Sequence, residues 1–251
     1  MLNYQKSYCR CLENILKRAE KILNGYSDIV EPVLKYPRHR ELESSMEILP
    51  EICENYFCSK LCELYQKINN KKICIIGPGK INNVHLNNCK LIAGPEGGLI
   101  NTLSLGLKML FVTTDLDSSQ KLVNSIYYLS NIRFIHVHGD NLTRLKLQKF
   151  FDENTIFTTQ VLTPYCALPV GSFTDGDRAI AISMLFNASR IYIYGFNFNE
   201  SLCLHKDYCY SDYKKTKLFL SKKILLYISK TLKYKIKEDK KNGIFYIKSI
   251  D

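Results

Sequence analysis

The chain has 251 residues, 46% apolar and 24% charged, with only 12 Gly and 7 Pro. That excludes collagen-like, low-complexity and wholesale disordered chains and leaves enough apolar material for a real core. No apolar run approaches the roughly 18 residues that span a bilayer, and the start, Met1-Leu2-Asn3-Tyr4-Gln5-Lys6, lacks the apolar stretch of a signal peptide, so a cytoplasmic protein with no membrane partner is expected. The formal charge of +11 is uneven: residues 205–251 carry 13 Lys against five acids, and the rest is close to neutral.

Leu12, Ile15, Leu16, Ala19, Ile22 and Leu23 recur at helical spacing and predict an amphipathic helix over residues 2–23 that stops at Asn24-Gly25. After a turn-rich stretch with Pro32 and Pro37, a helical pattern covers residues 41–68, restarting at Pro50, a residue suited to a helix's first turn. Residues 1–70 thus form an N-terminal helical segment. Short apolar runs follow at residues 72–76, 90–93, 109–113, 134–137, 156–159 and 190–194, with helical patterns at 119–129, 142–151 and 177–186. Such alternation requires a mostly parallel sheet with helices on both faces, an α/β Rossmann-like domain over residues 71–235. Residues 236–251 form a basic C-terminal segment in which 244–247 could add an edge strand.

Ten cysteines in a chain of this length without an export signal imply reduced thiols. Cys53, Cys58 and Cys62 share a helical face, as buried small hydrophobes do. Cys203, His205 and Cys209 come nearest to metal-ligand spacing but lack a paired Cys-x-x-Cys. The lysine-rich end reads first as a solvated helix face; the other readings are a surface for a polyanion such as nucleic acid, or help in holding a nucleotide's phosphates.

In an open parallel sheet the ligand lies beyond the carboxyl ends of the strands. The residues there are acidic and polar: Thr113-Thr114-Asp115-Leu116-Asp117-Ser118, His136-Val137-His138-Gly139-Asp140-Asn141, Thr158-Thr159-Gln160, and Ser172-Phe173-Thr174-Asp175-Gly176-Asp177-Arg178 opening a helix. Carboxylates gathered at one edge repel unless a hard divalent cation ligates them, and Mg²⁺ is the simplest choice. Mg²⁺ takes one or two carboxylates plus substrate phosphates, which points to nucleoside-triphosphate chemistry. Gly77-Pro78-Gly79 allows close backbone approach to a phosphate, and Arg178 supplies a cation at a helix start. Each residue also has a plainer role: Asp175 and Asp177 as helix caps, His136 as a hydrogen-bonded core residue, Gln160 as a loop partner, Phe173 as core, Lys80 as surface.

Val112 to Asp117, His136 to Asn141, Thr158-Thr159-Gln160 and Gly171 to Ala179 resemble, in this order, the archaeal-type 6-hydroxymethyl-7,8-dihydropterin diphosphokinase family, whose catalytic domain is related to thiamine pyrophosphokinase. The resemblance covers roughly residues 73 to 198. The chain departs from the family's pattern at Gly94-Pro95-Glu96-Gly97-Gly98, where Glu96 replaces an aspartate, at Gly79-Lys80-Ile81, and at Ser118.

The resemblance implies transfer of a diphosphoryl group from ATP to the hydroxymethyl group of a reduced pterin, with release of AMP. Asp115, Asp117 and Asp140 would hold Mg²⁺. Gly77, Pro78, Gly79, Thr114 and Arg178 would bind phosphates. Asn141, Gln160, Phe173 and Asp175 would bind the pterin, with His138, Asp177 and Arg178 as catalytic residues and His138 as the base. ATP and the pterin are then the partners, and a homo-oligomer is compatible with the sequence. Two alternatives stay open: the same domain acting on thiamine or with a nucleotide-sugar donor, and a nucleic-acid-binding module using the basic end.

Overall fold

The computed structural model describes residues 10–34, 38–52, 57–81, 86, 89–147, 151–196, 212–239 and 244–250. Among the described residues nine strands form one sheet: β1 (Lys72–Ile76), β2 (Leu91–Pro95), β3 (Met109–Thr114), β4 (Ser130–His136), β5 (Thr155–Thr159), β6 (Ala167–Pro169), β7 (Arg190–Tyr194), β8 (Tyr234–Asp239) and β9 (Ile244–Ser249). Their spatial order is β6-β5-β4-β3-β2-β1-β7-β9-β8. The first seven run parallel, so their carboxyl ends share one edge, while β9 is antiparallel to β7 and β8 to β9. All six residues of β3 are buried, as a strand covered on both faces requires.

The covering helices are α1 (Arg10–Leu34), α2 (Arg38–Ile52), α3 (Phe57–Ile68), α4 (Leu99–Ser104), α5 (Gln120–Leu129), α6 (Leu142–Leu147), α7 (Asp175–Leu185) and α8 (Asp212–Thr231). On one face α1, α3, α7 and α8 bury Leu12, Ile22, Leu61, Ile182 and Ile224 against Ile73, Phe111 and Phe134 of the strands. On the other, α2, α4, α5 and α6 contribute Leu49, Leu99, Ile126 and Leu145 to a core with Cys74, Ile92, Val112 and Ile135. Side chains of α1 and α3 therefore join the same core as the sheet.

Several boundaries differ from the sequence reading. The first helix does not stop at Asn24-Gly25 but continues to Leu34. The Tyr227 hydroxyl of α8 donates to the carbonyls of Lys21 and Ile22 at 3.1 and 3.0 Å, and a Cβ on Gly25 would lie 2.6 Å from that oxygen. The glycine makes room for a crossing helix rather than ending its own. Pro50 sits near the end of α2, not in the first turn of the next helix. The short β6 and the strand β8 had no counterpart among the expected strands, whereas β9 lies where the edge strand was expected, paired on both sides.

Cys11 is joined to Cys62 and Cys74 to Cys89 as disulfides, with Cα atoms 5.9 Å apart in each pair. This corrects the expectation of reduced thiols throughout: chain length bears on whether a fold needs cross-links, not on which sulfurs the packing of its elements brings together. Cys203, His205 and Cys209 lie outside the described residues. No helix among the described residues is long and apolar enough to cross a membrane.

Candidate active site

The turn after β3 is built around a left-handed residue. Leu116 has φ +62°, unusual for a bulky side chain, and that side chain is buried in the core. Its backbone N–H donates to Thr114 Oγ1 at 2.8 Å, and Asp117 N–H donates to Asp115 Oδ1 at 3.2 Å. Thr114 Oγ1 in turn donates to Glu96 Oε2, so Thr114 faces Glu96 in the interior. Burying Leu116 fixes the turn and leaves Asp115 half-buried and Asp117 exposed.

At the end of β4 the rings of His136 and His138 stack with centroids 5.5 Å apart. His138 Nε2 lies 3.7 Å from Asp115 Oδ2, and its Nδ1 accepts from Asp140 N–H at 3.3 Å. Asn141 is engaged locally: its amide donates to the carbonyls of Asp115 and His136 at 2.9 and 2.6 Å, and its oxygen accepts from His138 N–H at 3.1 Å.

The start of α7 completes the edge. Thr113 Oγ1 donates to the Asp175 carbonyl at 2.7 Å, tying α7 to β3. Asp177 is 1% exposed and accepts from Phe173 N–H, Thr174 N–H and Thr174 Oγ1 at 2.9, 2.5 and 2.6 Å. Its carboxylate thus closes a capping box, the arrangement that satisfies orphan amides at a helix start. Arg178, 2% exposed, donates through Nη1 to Asp175 Oδ1 at 2.5 Å.

These elements surround a cavity of about 120 Å³. Asp115, His138, Asp140, Gln160, Phe173 and Arg178 line it, six expected site residues drawn from four separate stretches. Val30 of α1, Glu41 of α2, His136 and Lys217 of α8 complete the wall. Thr114, Asp117, Asn141, Asp175 and Asp177 are not part of the wall, and neither is the glycine loop. Gly77 N–H donates to Tyr194 O and Gly79 N–H to Gly195 O, both at 2.8 Å, while Asn101 Nδ2 holds both glycine carbonyls at 2.8 Å. Those two amides are therefore engaged within the protein.

The charges at this edge act on one another. Burial pushes Glu96 up to about 7, and the carboxylates of Asp117 and Asp115 add to the rise against the Thr114 hydrogen bond. Burial, then Asp115, lifts Asp175 well above the ordinary carboxylate range, opposed by Arg178. Burial would also raise Asp115, but the neighbouring His138 ring and the Arg178 charge outweigh it and hold Asp115 below that range. Burial and then Arg178 hold His136 well below the usual histidine value, so the ring is neutral.

No protein-family model matches the chain. A 6-hydroxymethyl-7,8-dihydropterin pyrophosphokinase of Methanothermobacter thermautotrophicus is 25% identical over 164 residues, covering 63% of this chain and 70% of the relative. One of the same name from Methanocaldococcus jannaschii is 24% identical over 187 residues, covering 69% and 77%. This chain is a relative of the archaeal 6-hydroxymethyl-7,8-dihydropterin pyrophosphokinases. Pyrophosphokinases are diphosphotransferases, the enzyme class that the four motifs imply.

The acids at this edge can be set against the needs of a divalent cation. Asp115 and Asp140 reach the cavity from adjacent strand ends, beside Glu96 and Asp175, which burial first and then the neighbouring carboxylates raise. Among the described residues no group of three or more His, Cys, Asp or Glu side chains could hold a metal unaided. Two carboxylates completed by phosphate oxygens is the set Mg²⁺ prefers, so the donors fit a cation shared with a polyphosphate, not an all-protein cage.

Sequence reasoning missed Glu41, His136 and Lys217. His136 carried a signal, alternating along β4 with a suspected site residue. Lys217 was one lysine among many, and Glu41, in the first turn of α2, looked like an ordinary helix-start acid.

Proposed function

We propose that this chain transfers the diphosphoryl group of ATP to the hydroxymethyl oxygen of 6-hydroxymethyl-7,8-dihydropterin, releasing AMP, with Mg²⁺ required. The observation that carries the proposal is the convergence of Asp115, His138, Asp140, Gln160, Phe173 and Arg178 on one cavity, in a relative of two proteins bearing that enzyme's name.

Asp115 and Asp140 would hold the metal, which would supply positive charge against the phosphates. His138 keeps Asp115 ionised and oriented, and Arg178 balances the acids while facing the cavity. The pterin's amino-pyrimidinone edge presents paired N–H donors that a carboxylate accepts well. Glu41, 5% exposed and part of the cavity wall, would be such an acceptor. The Gln160 amide donates to Ser172 O at 2.7 Å, which leaves its oxygen for the ligand. Phe173 supplies an aromatic face, shared with the Lys217 ammonium 5.6 Å from its centroid. Thr174 and Asp177 act indirectly by fixing the loop that carries Phe173.

The test is incubation of the full chain with ATP, Mg²⁺ and the pterin, followed by product analysis. Formation of AMP and the pterin diphosphate in equal amounts is expected; no AMP above the pterin-free control refutes the proposal.

A further inference from the structure

We propose that Nε2 of His136 receives the proton of the acceptor hydroxyl, and that His138 is instead a positioning partner of Asp115. The inference rests on the proposed diphosphoryl transfer and assigns a residue role within that site.

His136 is 2% exposed and forms part of the cavity wall. Its Nδ1 lies 3.1 Å from the Thr158 carbonyl and 3.2 Å from Thr158 Oγ1; the carbonyl can only accept and the hydroxyl can accept as well, so a hydrogen on Nδ1 satisfies both and leaves a lone pair on Nε2. Nε2 is buried and has no hydrogen-bond partner among the described residues. An unsatisfied buried acceptor is costly and marks a place where a ligand donor completes the structure. His138 lacks this freedom: its Nδ1 lone pair takes the Asp140 amide hydrogen, and its Nε2 faces the Asp115 carboxylate. The two histidines therefore present opposite chemistry, a lone pair at His136 and an N–H at His138.

In the transfer, the acceptor oxygen forms a bond to the β-phosphorus while the bond from that phosphorus to the α,β-bridging oxygen breaks. AMP leaves with the electron pair on its α-phosphate. The hydroxyl proton, strongly acidic once the O–P bond has formed, moves to Nε2 and is returned to solvent as product departs. A weakly basic ring suffices because the proton is released late in a loose transition state. Burial and the Arg178 charge keep the ring neutral before each turnover.

The test uses the full chain as His136→Asn, which keeps a donor toward Thr158 but has no atom at Nε2, beside His138→Asn and His136→Ala. AMP release gives kcat and the KM for ATP, and pterin fluorescence gives its Kd. His136→Asn is expected to lower kcat about 100-fold, with the KM for ATP and the pterin Kd within about threefold of wild type. Added imidazole should restore part of the rate of His136→Ala, and His138→Asn should not respond to it. A His136→Asn kcat within about threefold of wild type overturns the inference. So does a rate loss matched by equal weakening of pterin binding, which would make the ring a reader of substrate. Should His136→Asn lose its fold, the imidazole arm decides alone: rescue supports the role and its absence rejects it. A wild-type protein that releases no AMP with this pterin refutes the proposed function itself, a separate and visible failure that takes this inference with it.

Discussion

Two turns of this protein carry nearly the same residues and do opposite work. Thr114-Asp115-Leu116-Asp117 follows β3, and Thr174-Asp175-Gly176-Asp177 opens α7. In the first, a buried Leu116 in a left-handed conformation turns the chain away from helix, so Asp115 reaches the cavity and Asp117 reaches solvent. In the second, the chain enters a helix whose orphan amides claim Asp177, and Arg178 claims Asp175. The pattern threonine, acid, any residue, acid thus does not define a ligand site. Whether the carboxylates act on a ligand or on the fold is set by the backbone that follows.

The sharpest test of that division is Asp115→Asn against Asp177→Ala. Asp115→Asn removes a cavity-facing charge with little change in volume. It should lower kcat/KM about 1,000-fold, some 4 kcal/mol of transition-state stabilisation, while the melting temperature stays within a few degrees. Asp117→Asn, exposed and outside the wall, should lose only about tenfold. Equal losses at Asp115 and Asp117 in a steady-state assay would break the comparison, because the turn would then deliver both acids to the ligand.

Asp177→Ala should act on the fold. It removes a cap, worth about 1–2 kcal/mol, and leaves inward-facing donors of Phe173 and Thr174 unsatisfied, so a total loss of about 4 kcal/mol is expected in denaturant unfolding. Activity per folded molecule should fall far less than for Asp115→Asn. Wild-type stability with abolished activity would place Asp177 among the ligand-facing acids.

Glu96 stands between the two turns, hydrogen-bonded to the threonine of the first. Its value is raised in the folded state to about 7, so the protonated form is favoured by folding. That contribution is present below the unfolded value near 4.5 and is lost as pH rises through about 7. Glu96→Gln keeps the shape without the charge. In metal-free buffer it should match wild type near pH 4.5 and exceed it by about 3 kcal/mol at pH 8, from roughly 2.5 pH units at 1.36 kcal/mol each. Thermal melts of both proteins across this range decide it. Parallel curves would show that Glu96 is ionised throughout and that the acids at this edge are already neutralised.

How much of this was legible in the sequence differs by level. The parallel strands from β1 to β5, and β7, were readable because a strand buried on both faces is a continuous apolar run such as Lys72-Ile73-Cys74-Ile75-Ile76. The three residues of β6 are too few to show a period, and the Lys-rich alternation of β8 resembles a solvated tail. The clustering of acids at one edge was legible through the rule that ligands sit at carboxyl ends. Which acids face the cavity was not, since that depends on φ at Leu116 and on the amides of α7. The glycine loop shows the same limit. Sequence identifies backbone that can approach closely, but Tyr194 and Gly195 take the amides of Gly77 and Gly79. Glu41 was invisible because α2 reaches the cavity only in three dimensions.

The smallest expected effect concerns the third residue of each turn. Gly176 lies in the first turn of α7, where alanine's helix propensity would gain up to about 1 kcal/mol. A Cβ there would come within 2.6 Å of the Phe196 ring, so the ring must shift for alanine to fit. The two effects nearly cancel, and Gly176→Ala should lower stability by about 1 kcal/mol or less, because tight aromatic packing outweighs propensity at a helix end where few amides are bonded. Leu116→Gly, by contrast, relieves a left-handed backbone but deletes a buried side chain, and should lose about 2 kcal/mol. Were Gly176→Ala to stabilise the protein in chemical denaturation, Phe196 would be free to move. The small residue in the second turn would then reflect no packing requirement, and the difference between the turns would rest on the Leu116 backbone, the caps of Asp177 and the Arg178–Asp175 pair.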